Sequence, residues 1–164
     1  MDYTSNFTQD LKEAQKTEDV FLKEFITYLL KRDKTTKGNY KYKKGNDKDG
    51  DIYIKFFKEN KELLFEVKDD KRGKNTGNIV IEFQSRNKPS GIESTKSDYW
   101  VQKYKDTFYI VDVESLKEAI KEKKYFDIVE GGDNNTSLLY RFKRDDYVDI
   151  VVDAMDEGKY CMIL

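Results

Sequence analysis

With 164 residues the chain has the size of one ordinary domain, and its 38% charged and 37% apolar residues imply a small core rich in its 12 Tyr and 10 Phe. Cys161 is the only cysteine and there is no histidine, which excludes internal disulfides, Cys/His zinc sites, and Ser-His-Asp or Cys-His catalysis. The net charge of −1 is unevenly spread: residues 31–105 are strongly basic, whereas both flanking segments are acidic.

From Phe7 to Lys31 the apolar residues Leu11, Ala14, Phe21, Leu22, Phe25, Leu29 and Leu30 recur at three- and four-residue spacing, which predicts an amphipathic helix with Thr8 as N-cap. Glu18 interrupts that stripe. A carboxylate on a core face is costly without a cation or strong donors, so Glu18 either snorkels to water from the stripe edge or reaches a metal site. Residues 31–48 then hold lysines interleaved with Tyr40 and Tyr42, and Asn39 to Lys43 reads as a short strand before a Gly-Asn turn. Such a segment is either a solvated loop or a nucleic-acid contact, in which Lys41, Lys43 and Lys44 meet phosphates while Tyr40 and Tyr42 stack on bases.

Residues 51–57 and 62–68 read as two strands of a hairpin turning at Lys58-Glu59-Asn60-Lys61. Period-2 geometry puts Glu66 and Lys68 on one side of the second strand, with Val67 on the other. Hairpin pairing brings Asp51 level with them. Acid-x-Lys triplets are common in so charged a chain, as at Asp10-Leu11-Lys12 and Glu122-Lys123-Lys124. Glu66-Val67-Lys68 differs in following the apolar run Leu63-Leu64-Phe65 and in facing a strand that opens with an acid. Two carboxylates and a lysine at one place can hold a hard cation beside a phosphodiester, and with oxygen ligands alone that cation is Mg²⁺, with Mn²⁺ as a substitute.

Asp69 to Asn78 is a polar, glycine-containing loop in which Lys71 and Arg72 are further phosphate-binding candidates. Ile79 to Gln84 alternates as a strand with Ile79, Ile81 and Phe83 on one side, leaving Glu82 and Gln84 either at solvent or at the edge of the site. A loop follows around Pro89, and Ser94, Thr95 and Lys96 offer two hydroxyls and an ammonium for a phosphate, or simply a helix cap. Tyr99 to Tyr104 and Thr107 to Val113 form a predicted hairpin, Glu114 to Lys124 an amphipathic helix, and Ser137 to Phe142 a strand. Tyr147 to Met155 fits helix and strand equally. The beginning MDYTSNFTQD has no signal-peptide pattern and no apolar run is long enough for a membrane span, so a single cytoplasmic domain without a membrane is expected.

The order of a helix carrying Glu18, a short strand, a strand opened by Asp51 and a strand ending Glu66-Val67-Lys68 resembles the PD-(D/E)XK nuclease superfamily, in particular its small resolvase-like members. The resemblance is good over residues 8–68 and loose beyond, where TGNIVIEFQSRNKPSGIESTKSDYWV looks like a block of small, often phage-encoded proteins of this type. Gly50 stands where the superfamily has a proline. The resemblance implies an α/β, restriction-endonuclease-like αβββαβ core with a mixed central sheet flanked by helices. It further implies that Asp51, Glu66 and the Val67 carbonyl bind Mg²⁺, that Glu18 binds it directly or through water, and that Lys68 orients or helps deprotonate the attacking water. The expected activity is hydrolysis of DNA phosphodiester bonds by an endonuclease acting as a homodimer, with no small-molecule cofactor. Two alternatives stay open: a catalytically silent nuclease-fold factor binding nucleic acid or a host complex, such as a phage protein, and a generic α/β interaction domain in which Glu66 and Lys68 form only a surface ion pair.

Overall fold

A computed structural model describes residues 3–32, 37–45, 50–69 and 76–156. Lys71, Arg72 and Cys161 lie outside them. The first helix, α1, runs over Tyr3–Arg32, so Thr8 is inside the helix and not at its cap. Its buried stripe is Thr17, Phe21, Leu22, Phe25 and Ile26, while Ala14 is exposed. Ala14 is therefore not part of the buried stripe that the periodicity suggests.

Among the described residues ten strands follow: β1 Tyr40–Lys44, β2 Ile52–Phe56, β3 Lys61–Asp69, β4 Asn78–Ser85, β5 Lys88–Pro89, β6 Tyr99–Tyr104, β7 Thr107–Asp112, β8 Asp127–Gly131, β9 Ser137–Lys143 and β10 Asp153–Asp156. Helix α2, Val113–Lys121, follows β7, and the short α3, Arg144–Val148, follows β9. The segment from Tyr147 to Met155 that fitted two periods contains both a helix end and a strand.

Six strands form a mixed sheet in the order β1-β2-β3-β6-β7-β10, in which β3 and β6 are parallel and every other pair is antiparallel. The expected mixed α/β class is what the chain adopts. Among the described residues the crossover from β3 to β6 contains β4, β5 and a 3₁₀ turn at Gly91–Glu93, and α2 follows β7. A parallel pair needs a crossover of a dozen or more residues, which this connection supplies. Here β4 and β5 enter a second, antiparallel sheet, β5-β4-β9-β8. Its strand β8 escapes the sequence reading because the short run Asp127–Gly131 leaves Ile128 exposed instead of alternating cleanly into a core.

The six-stranded sheet separates two apolar clusters. On one face α1 packs Phe21, Leu22, Phe25 and Ile26 against Ile52, Ile54, Phe65, Val67 and Val101. Phe21 lies at the centre, with ring centroids 5.5 Å from Phe25 and Phe108 and 5.8 Å from Phe65. On the other face Trp100, Tyr104, Tyr109 and Val111 meet Ile79, Ile81 and Phe142 of the second sheet and Leu116 of α2. Among the described residues no helix is long and apolar enough to cross a membrane.

Candidate functional site

The hairpin β2–β3 turns at residues 57–60, with Asn60 in the left-handed region at φ 47°. Ile52 pairs with Phe65, so Asp51, one step before β2, falls opposite Glu66. Its backbone N–H donates to the Phe65 carbonyl at 2.9 Å, and its side-chain Oδ2 accepts the Val67 N–H at 2.7 Å. These two bonds hold the carboxylate at the end of the hairpin. Gly50 makes the approach possible: its φ of +126° is closed to proline and unfavourable for any side chain. A Cβ there would also lie 2.7 Å from Leu64 Cγ and Ser97 Oγ.

Glu66 and Lys68 share a face of β3, as the alternation requires, and Lys68 Nζ lies 2.9 Å from Glu66 Oε1. Parallel pairing places Glu66 beside Trp100 and Lys68 beside Gln102. The Lys68 ammonium stands 5.9 Å from the Trp100 ring centroid, and the Trp100 indole N–H donates to Gln102 Oε1 at 3.0 Å. Gln102 is buried. Trp100 and Gln102 are site neighbours that sequence reasoning missed; the signal was a glutamine in step with Trp100 and Tyr104 on an otherwise apolar strand face. Desolvation alone would lower the Lys68 pKa, but the charge and hydrogen bond of Glu66, with the charges of Asp51 and Glu82, outweigh it and hold the pKa above its ordinary value. Lys68 is a cation throughout the neutral range.

Glu18 approaches from α1 on the opposite side of the sheet. Burial, followed by the negative charge of Asp51, raises its pKa, and Lys44 works against both. Lys44 Nζ bridges Asp19 at 2.9 Å and Glu18 at 3.6 Å, and donates to the Gln15 carbonyl at 3.4 Å. The end of β1 is thereby fastened to α1. A second tie joins the end of β3 to the same turn of helix, where the Thr17 hydroxyl donates to Asp69 Oδ2 at 3.0 Å.

Asp51, Glu66, Lys68 and Glu18 therefore come to one end of the β2–β3 hairpin, Glu18 through its coupling to Asp51. Among the described residues no group of three His, Cys, Asp or Glu side chains converges closely enough to hold a metal ion. Asp51 and Glu66 lie opposite one another at the end of the hairpin. Glu82 is the fourth acid: its charge acts on Lys68, while its Oε1 accepts the Ser137 hydroxyl at 2.6 Å. Gln84 lies past a bulge in β4, opposite Leu138 and Pro89.

The sequence candidates for nucleic-acid contact divide by face. Lys44 pairs with Ile52 and Tyr42 with Ile54, so Tyr40, Tyr42 and Lys44 point to the α1 side. Lys41 and Lys43 point to the face that carries Glu66 and Lys68. Ser94 caps the 3₁₀ turn, its amide donating to the Gly91 carbonyl at 3.2 Å, and Thr95 Oγ1 accepts the Ser97 amide at 3.2 Å. Ser94 and Thr95 thus serve as caps, with Lys96 exposed beside them. The same loop docks on β3 through Asp98, whose Oδ2 accepts the Leu64 N–H at 2.8 Å.

No family model matches the chain, and no curated protein does. Among solved structures it is similar to a bacterial homing endonuclease, I-Ssp6803I, at 23% identity over 57% of this chain and 68% of that one, with a TM-score of 0.32. At that score the likeness carries no argument for either fold or function.

Proposed function

We propose that the chain is a Mg²⁺-dependent nuclease that hydrolyses DNA phosphodiester bonds as an endonuclease. The observation carrying this reading is the position of Asp51, opposite Glu66 and bonded to the Val67 N–H, at the end of the hairpin where Lys68 stands beside Glu66. Asp51 and Glu66, with the Val67 carbonyl, are the residues to hold magnesium, and Glu18 joins them through water. When bound there, the ion lowers the pKa of a water and neutralises charge on the phosphate. Lys68, cationic and beside Glu66, stabilises the negative charge that develops on the phosphoryl oxygens and orients the nucleophile. The Trp100 ring stands beside the Lys68 ammonium and is itself fixed by its hydrogen bond to buried Gln102.

One observation favours the silent nuclease-fold reading: Asp51 Oδ2 and Glu66 Oε1 are engaged by the Val67 amide and Lys68, and three acids do not converge among the described residues. Incubation with linear, nicked, single-stranded and four-way-junction DNA in Mg²⁺ or Mn²⁺ separates the two. Cleavage by the native protein that Lys68→Ala abolishes without unfolding supports the enzyme. Binding without cleavage supports the silent factor, and equal cleavage by both proteins removes the assignment.

A further inference from the structure

The second sheet and α2 cover the β6–β7 part of the large sheet, where Trp100, Tyr104, Tyr109 and Val111 are buried. The corresponding face of β1–β2–β3 carries polar side chains. Because Ile52 and Ile54 point into the α1 core, Tyr53 and Lys55 point away from it. Register extends this face across three strands. Lys41 pairs with Lys55, which pairs with Glu62; Lys43 pairs with Tyr53, which pairs with Leu64. One row further on lie Asp51 and Glu66.

The polar groups in these rows touch one another. Lys43 Nζ stands 5.1 Å from the Tyr53 ring centroid, and Lys55 Nζ lies 3.5 Å from Glu62 Oε1. The Tyr53 hydroxyl donates to the Glu62 carboxylate; that bond first, then Lys55 and Lys41, hold the Glu62 pKa below its ordinary value against the opposing effect of desolvation. Glu62 is therefore an anion lodged among two lysines and a phenol. Side chains on it remain open to solvent: Lys41 and Lys43 are exposed, as is Glu62.

We infer that this face is the track for the DNA backbone, with Lys41, Lys43, Lys55 and Tyr53 gripping phosphates and Glu62 acting as an internal competitor that the phosphates displace. The inference rests on the nuclease reading for the choice of DNA. Charge complementarity selects the occupant: three lysines share one flat face, and a phosphate can take over the hydrogen bond and ion pair that Glu62 makes. Geometry supplies the direction. At about 3.4 Å per residue, the Lys43–Tyr53 row lies about 7 Å from the Asp51–Glu66 row and the Lys41–Lys55 row about 14 Å away. That reach spans about four nucleotide steps of one DNA strand and ends at the Asp51–Glu66 row, one row before Lys68. Tyr53, Lys55 and Glu62 carry this assignment without belonging to the acidic site. The tyrosines of β1, on the opposite side of the sheet, do not take part.

The test is duplex-DNA binding by full-length protein in EDTA, where cleavage does not interfere, measured by fluorescence anisotropy over a salt series. Lys41→Ala/Lys43→Ala/Lys55→Ala is expected to weaken binding at least about tenfold and to flatten the log Kd against log salt slope by about 2 to 3. Glu62→Gln is expected to tighten binding several-fold. Lys117→Ala/Lys121→Ala/Lys124→Ala, on exposed positions of α2 and just after it, serves as the charge-matched control and should behave as the native protein. A triple variant indistinguishable from native, or a Glu62→Gln protein that binds no tighter, overturns the inference, as does a native protein that binds no DNA. Binding through the lysine face with no cleavage in Mg²⁺ removes the nuclease reading and leaves the track standing; Mg²⁺-dependent cleavage undiminished in the triple variant does the reverse.

Discussion

Asp51 Oδ2 accepts the backbone N–H of Val67 at 2.7 Å, so the first acid of the candidate site is positioned by the main chain of the strand that carries the second. The bond depends on the close approach at Gly50. Replacing Gly50 by Ala should cost about 1–3 kcal/mol through the unfavourable φ, and more through the overlap with Leu64 and Ser97. Urea denaturation measures it. Equal stability of Gly50→Ala and the native protein would contradict the described turn.

Glu18 links stability to pH. Its folded pKa is raised, by burial and then by Asp51, so the stability it contributes is fully present below the ordinary glutamate value of 4.5 and is lost as pH rises through the folded value. At neutral pH the ionised Glu18 is therefore a net cost. Glu18→Gln should melt higher than native at pH 7 in EDTA, by about 2–4 °C for each 1 kcal/mol of relief, and the difference should vanish in acid. Mg²⁺ should raise the native Tm more than that of the variant. A variant that melts lower at pH 7 would show that the Lys44 pair outweighs the repulsion.

Lys68 has the same sense, displaced to the alkaline range. As a base with a raised folded pKa, it contributes stability below the ordinary lysine value that is lost only as pH rises through the folded value, in the alkaline range. Its charge is constant from pH 6 to 9. Lys68→Gln should lower kcat by roughly 10²- to 10³-fold, the usual effect of deleting one group that stabilises transition-state charge. The residual pH–rate profile over that range should keep its native shape, since no lysine titration underlies it. A basic limb that disappears in the variant would assign Lys68 as the proton acceptor instead.

Much of this arrangement is legible in the residues themselves. Alternation in Ile52–Phe56 and Lys61–Asp69 marks a hairpin, and a hairpin of that length necessarily brings Asp51 to Glu66. Glu18 stands out because a carboxylate interrupts an apolar stripe. What local pattern could not supply is the partnering of segments far apart in the chain: the β3–β6 pairing that sets Gln102 beside Lys68, and the second sheet that buries Trp100. The division of β1 into two faces is equally a matter of register, since Lys43 and Lys44 are indistinguishable until Ile52 is known to lie opposite Lys44. The helix start was misplaced because a capping residue is only a signal when the preceding segment is not helical, and here the helix continues through Thr8 to Tyr3.

Burial makes two predictions away from the site. Phe21 is fully buried between α1 and the sheet, so Phe21→Ala should cost about 3–5 kcal/mol and loosen the helix that carries Glu18. Tyr147 is also fully buried, and among the described residues its hydroxyl has no hydrogen-bond partner; burial drives its pKa far upward. Tyr147→Phe removes an unsatisfied polar group and should be neutral or stabilising by about 1 kcal/mol. Thermal melts of both proteins check these values, and a destabilised Tyr147→Phe would reveal a partner for the hydroxyl.

The central claim is that Asp51, Glu66 and Lys68 form a metal-dependent hydrolytic site, and plasmid cleavage in Mg²⁺ against EDTA tests it most directly. The native protein should nick or linearise DNA only with the metal, and Asp51→Asn, Glu66→Gln and Lys68→Ala, each with a native melting curve, should not. Cleavage that persists in those three variants, or a native protein inert in both Mg²⁺ and Mn²⁺, would contradict it.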